Sequence, residues 1–215
     1  MLVHPRLGVA FLGLALAGAL VVGCSKSVPR EKVWFPPRVD LARWGTLGMI
    51  EFSAFEAPSL GPLASREFLA ALQSAQPGTP VIELGDERRV LAERGADALG
   101  PDAIRAIGER HRVDALVVGR LAAQPSVPSL AFDSSAFWAS ASAELEGTLD
   151  ARIFDTRTGA TVWSTAARAS EPLARVDISS NGVSGLGASS AQDANLRLVR
   201  SLVARATADF WGRWE

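Results

Sequence analysis

Strict alternation marks the middle of the chain. Leu145, Gly147, Leu149, Ala151 and Ile153 fall on one side, and Glu144, Glu146, Thr148, Asp150 and Arg152 on the other. This is the period of a strand with one face buried and one in water. Asp155-Thr156-Arg157-Thr158-Gly159 then supplies turn chemistry, and Ala160 to Ala167 returns with Val162 and Trp163, so the two runs predict an antiparallel hairpin. Upstream, Val113-Asp114-Ala115-Leu116-Val117-Val118-Gly119 is almost continuously apolar, the mark of a strand covered on both faces and the candidate centre of the sheet. Leu47 to Phe52 and Pro80 to Leu84 are shorter strand candidates.

Helical spacing appears between and after these runs. Leu63, Phe68, Leu69 and Leu72 predict a helix over Leu63 to Ala75, and Glu87 to Arg94 a short charged one. Another starts at Pro101-Asp102, where proline is tolerated and aspartate suits the positive helix end, with Ile104 and Ile107 on its buried side. From about Ala191 to Trp214, Leu196, Val199, Val203, Ala206, Phe210 and Trp214 recur at three- and four-residue steps, which predicts a closing amphipathic helix. Ala122 to Ser142, poor in charge, and Ile178 to Ser190, made mostly of serine, glycine and other small residues, read as long loops. The expected fold is therefore α/β: a single small mixed sheet with flanking helices, and a hairpin followed by the closing helix.

The N-terminus has a different build. Arg6 precedes an uncharged apolar and glycine stretch from Leu7 to Gly23, which ends directly at Cys24. That is a secretory signal rather than a permanent span. Val21-Val22-Gly23-Cys24 resembles the lipobox of bacterial lipoproteins, in which a small residue precedes a cysteine that receives diacylglycerol before cleavage. Cys24 is the chain's one cysteine, and lipidation explains a lone cysteine in an exported protein. The resemblance implies cleavage between Gly23 and Cys24 and acyl chains on Cys24, two or three of which hold a bilayer lastingly. Ser25 at the next position resembles the pattern sent to the outer membrane, facing the periplasm, with the inner membrane as the alternative. The expected organisation is a signal peptide over 1–23, a lipidated tether over 24–44 with the prolines of Trp34-Phe35-Pro36-Pro37, whose aromatic pair docks on the domain in preference to the bilayer interface, and one periplasmic α/β domain over 45–215.

Charge and chemistry narrow the function. Cleavage removes Arg6 and no acid, leaving 21 basic against 23 acidic residues and a net charge of −2, so no basic excess exists to hold nucleic acid. The mature chain has one histidine, His111, inside Glu109-Arg110-His111-Arg112 near a predicted helix end; it reads as a helix-terminal residue, and one histidine cannot build a typical zinc cluster. Gly182-Val183-Ser184-Gly185 lacks the closing glycine of a nucleophile elbow. Gly185-Leu186-Gly187-Ala188-Ser189-Ser190 lacks the third glycine of a dinucleotide loop and reads as a flexible loop. Glu144, Glu146 and Asp150 share a strand face and read as its solvated side. The expectation is no catalytic, cofactor-binding or metal residues.

In element order the chain resembles a group of periplasmic lipoproteins that includes the curli secretion channel CsgG, the penicillin-binding-protein activator LpoB and the N-terminal domain of TolB. The apolar run over 113–119, the hairpin around Ala151 to Gly159 and the closing helix carry that resemblance. It implies a small mixed sheet with helices, used to bind envelope proteins or to assemble into rings. The expected function is thus a non-catalytic envelope interaction or assembly module with a periplasmic or cell-wall protein partner, or a second copy of itself. The alternative is a subunit of an oligomeric secretion pore of the curli-channel type, which would need strands of about nine to eleven residues alternating toward lipid.

Overall fold

The computed structural model describes residues 32–93, 95–133, 138–179, 182–188 and 190–214. In chain order these form β1 (Trp34–Phe35), a 3-10 turn (Leu41–Trp44), β2 (Leu47–Glu51), β3 (Ser53–Ala54), α1 (Leu60–Ala75), β4 (Val81–Asp86), α2 (Glu87–Ala92) and α3 (Pro101–His111). They continue with β5 (Ala115–Pro125), β6 (Ser129–Asp133), β7 (Trp138–Asp155), β8 (Thr161–Ser179), β9 (Gly182–Ala188), α4 (Ala191–Ala206), a 3-10 turn (Ala208–Phe210) and β10 (Arg213–Trp214). The architecture is α/β, as the periodicities predict.

The main sheet runs β4-β2-β5-β7-β8-β9, with β3 added beside β5 and β6 beside β7. β2 lies parallel to β4 and β5, whereas β5, β7, β8 and β9 are antiparallel. β5 sits inside the sheet, and its apolar run divides between two layers. Ala115, Val117 and Leu121 join the larger core with α1 and α4, while Leu116 and Val118 join a smaller one with Val90 of α2 and Ile104 and Ile107 of α3. A strand sandwiched in this way has no polar side, which is why the run over 113–119 lacks alternation.

The hairpin is longer than the sequence reading allowed, and the sheet larger. The described residues of Ala122 to Ser142 are not one loop: they hold the end of β5, all of β6 and the start of β7. Gly182 to Ala188, expected within a flexible loop, is strand β9 paired with β8. The register shifts between Ala143 and Glu144, so that Ala143 opposes Ala174 and Glu144 opposes Pro172. Leu173 is the extra residue of this bulge, and Pro172, which lacks an N–H to donate, sits beside it. The extra residue switches the parity of β8. Without it Arg175 and Asp177, rather than Ala174, Val176 and Ile178, would share the face of Ala167 and Ala169.

Two further corrections concern the ends. Residues 33–44, read as part of the tether, pack on the domain, and the compact unit starts at Val33. Leu41 is fully buried, and its N–H donates to Gln76 Oε1 at 2.7 Å. Gln76 Nε2 donates in turn to the carbonyls of Val39 at 2.6 Å and Phe210 at 3.1 Å, so one side chain beyond α1 ties both ends of the domain together. The closing helix ends at Ala206, not near Trp214. Its buried face is Ala194, Leu198, Val199, Leu202, Val203 and Ala206, while Leu196 is half-buried. Trp214 instead pairs across β10 and β1 with Trp34, ring centroids 5.1 Å apart.

Candidate functional site

Gly23 and Cys24, the expected cleavage and lipidation residues, lie outside the described residues. No helix among the described residues is long and apolar enough to cross a membrane. His111 closes α3, as its sequence neighbours suggest, with Nε2 4.0 Å from a Glu93 carboxylate oxygen. Glu144, Glu146 and Asp150 are exposed along β7. Among the described residues no three His, Cys, Asp or Glu side chains are grouped to hold a metal ion.

The structure creates two features that no motif announced. One is a groove at the carboxyl ends of the parallel strands. After β2 the chain goes to α1, which packs in the larger core; after β4 it goes to α2 and α3, which pack on the other face. The connections leave in opposite directions, so a crevice opens where they diverge, as at the switch point of other open α/β sheets. The opening encloses about 790 Å³. Apolar residues Phe52, Ala54, Leu91, Leu121 and Ala122 line it, and Phe55 stands at its lip 98% exposed. Two hydrogen bonds of buried Ser65 hold this rim: Phe52 N–H donates to Ser65 Oγ at 2.7 Å, and Ser65 Oγ donates to the Gly61 carbonyl at 3.0 Å. Gly61 permits that approach, since a Cβ there would stand 2.2 Å from the Phe52 carbonyl oxygen.

The second feature is the far end of the sheet, where β6, the start of β7, the end of β8 and β9 run beyond the larger core, whose last sheet members are Leu145, Ala169 and, half-buried, Leu173. Ala139, Ala141 and Ala143 keep the parity of Leu145, and oppose Ile178, Val176 and Ala174. Leu130 of β6 opposes Ala141. One face of the extension is therefore apolar, yet Leu130 remains 67% and Ile178 47% exposed. The other face is polar: Ser129 and Ser142 share a hydrogen bond of 2.8 Å, and Arg175 Nε donates to both carboxylate oxygens of Asp177 at 3.1 and 3.0 Å. A usable sequence signal was present in the alternation Ala139, Ser140, Ala141, Ser142, Ala143 and again over 174–178. Alanine against serine gives so little contrast in hydrophobicity that the first run resembled a loop.

The opposite end carries the chain's entry point and the β7–β8 turn. Val39 N–H donates to the Asp209 carbonyl at 3.1 Å, and Phe210 stacks on Trp163 at 4.7 Å. In the turn, the titration of Asp155 is displaced. Burial raises its pKa, but N–H groups of Thr158 and Arg157 and the Arg157 guanidinium outweigh this and hold the carboxyl below its ordinary value.

No family model matches the sequence, and no curated protein matches it. Among solved structures, the PelC dodecamer from Paraburkholderia phytofirmans is similar at 13% identity and a TM-score of 0.44, over 85% of this chain and 98% of that one. The lipoprotein GNA1162 from Neisseria meningitidis follows at 16% and 0.38, over 77% of this chain and 99% of that one. The LpoB C-terminal domain from Salmonella enterica has 10% and 0.35, over 59% and 82%. With these TM-scores below 0.5, no property of those proteins transfers to this chain, and the resemblance to the curli-channel group is carried by no sequence family.

Proposed function

We propose that this chain is a lipid-anchored protein of the bacterial envelope that works without catalysis, by presenting the far end of its sheet to another envelope protein. It is cut between Gly23 and Cys24, acylated on Cys24 and faces the periplasm from the outer membrane. The observation that carries this reading is the extension that outruns its helical cover, with Leu130 and Ile178 exposed on its apolar face. Covering such a face gains about 25 cal/mol for each Å² of apolar surface removed from water. β6 and β9 are edge strands at this end, so main-chain pairing with a partner strand is available beside the apolar contact. Val33 and the residues that precede β2 pack at the other end of the domain.

The experiment is photo-crosslinking in intact cells from Leu130 and Ile178, with Val162 near the β7–β8 turn as the reference position. A discrete adduct with another envelope protein, from the first two positions and not the third, is expected. Adducts that step in multiples of the chain's own mass would replace that partner with a second copy. Absence of any adduct from the extension would overturn the reading.

One observation favours a second reading, a pore subunit. The hairpins β6–β7 and β8–β9 lie side by side with one apolar and one polar face, the pattern of strands that line a channel. Their lengths argue against it, because β6 has five residues and β9 seven, short of the nine to eleven that a barrel strand needs. Ion conductance across planar bilayers separates the two readings.

A further inference from the structure

The geometry points to the groove at the carboxyl ends of β4, β2 and β5 as a docking site for a cationic, extended segment of a partner protein. This rests on the reading of the chain as an interaction module and gives it a second, separate contact. The groove's walls are mostly apolar, its lip is an exposed aromatic ring, and its charge has one sign in excess. Glu51, Asp86, Glu87, Asp97 and Asp150 line it against two bases, Arg88 and Arg120.

The placement of those charges selects the occupant. Glu51 and Asp86 are register partners on β2 and β4, and like charges directly across a strand pair destabilise it. Asp86 caps α2 by accepting from the Arg89 N–H at 2.9 Å, but nothing in capping requires Glu51 beside it. On the far wall Asp150 opposes Arg120, so that arginine faces an acid of its own. What is left over is negative charge around an apolar floor. A lysine or arginine laid between Glu51 and Asp86 relieves their repulsion, and an apolar or aromatic neighbour of that base finds Phe55, which at 98% exposure has no cover of its own. An anionic segment would meet the acid excess, and an uncharged one would leave the repulsion in place.

The test uses the full mature, acylated chain in a non-ionic detergent. The probe is the fluorescein-labelled peptide Lys-Thr-Lys-Phe-Lys-Thr-Lys, compared with the same peptide carrying Glu for every Lys, and the readout is fluorescence anisotropy. The lysine peptide is expected to bind saturably and less tightly as salt rises. Its affinity should fall about tenfold or more in the Glu51→Gln, Asp97→Asn double variant. Phe55→Ser should weaken it severalfold, and thermal melts check that both variants stay folded. Equal binding of the two peptides, no binding up to about 1 mM, or unchanged affinity in the folded double variant would each overturn the docking site. Crosslinks from Leu130 and Ile178 in cells report on the extension independently, so either contact can fail while the other stands.

Discussion

Asp155 shows how much of this fold hangs on single side chains. Its Oδ1 accepts from the N–H groups of Arg157 at 2.8 Å and Thr158 at 3.0 Å, which closes the tight connection of an unusually long hairpin. Replacing Asp155 with alanine should lower stability by about 1 kcal/mol at neutral pH. The sign of the pH dependence follows from the depressed carboxyl. The contribution is fully present above the ordinary aspartate value of 3.8 and is lost as pH falls through the lower, folded value. Urea melts of the wild type and of Asp155→Ala should therefore differ at pH 7 and converge as acid takes the wild type through that range. The turn itself was legible in Asp-Thr-Arg-Thr-Gly, because aspartate, threonine and glycine in that order have one familiar use. Ser65 and Gln76 were not legible. A lone serine within a helix and a lone glutamine after one carry no periodic signal, and their long-range partners lie thirteen to 134 positions away.

At the level of elements, the segment ahead of β2 behaves as part of the domain. A chain starting at Gly45 loses Leu41 from the core and leaves Gln76 without its contacts to Leu41 and Val39. Deleting a large buried side chain typically costs about 2 to 5 kcal/mol, and a domain's whole margin is about 5 to 15. Such a chain should melt well below one starting at Val33; equal melting temperatures would return residues 33–44 to the tether. The strong periods were readable where packing is one-sided or fully enclosed: the alternation over 144–153, the apolar run of β5 and, in Val199, Val203 and Ala206, part of the face of α4. They failed where the sheet leaves its helices behind. There the sheet has no helix to pack against, alanine and serine alternate with little contrast, and β9 is so rich in glycine that its strand character comes from pairing with β8 rather than from propensity. The missed elements and the exposed apolar face thus coincide, because an element without helical cover lacks the marks of an element that packs on its own core.

The two ends of the sheet are built differently. At one end the chain enters beside Phe210 and the β7–β8 turn; at the other stand the open groove and the two-faced extension. Along β7 the distance from Ile153, which opposes Trp163, to Ser142 in the extension is about 36 Å at strand rise. From Cys24 to Val33 the chain can reach at most about 32 Å. The proposed acyl chains on Cys24 would hold Val33 within that reach of the bilayer, and the proposed role requires the extension to stand clear of it. The purified, acylated chain in vesicles containing a nitroxide-labelled lipid tests this arrangement. A fluorophore is attached at Val33→Cys or at Leu130→Cys, the sulfur of Cys24 being blocked by its lipid. Strong quenching is expected at position 33 and none at position 130. Strong quenching at position 130 would place the extension in the bilayer, and would contradict its role as a surface presented to a protein partner.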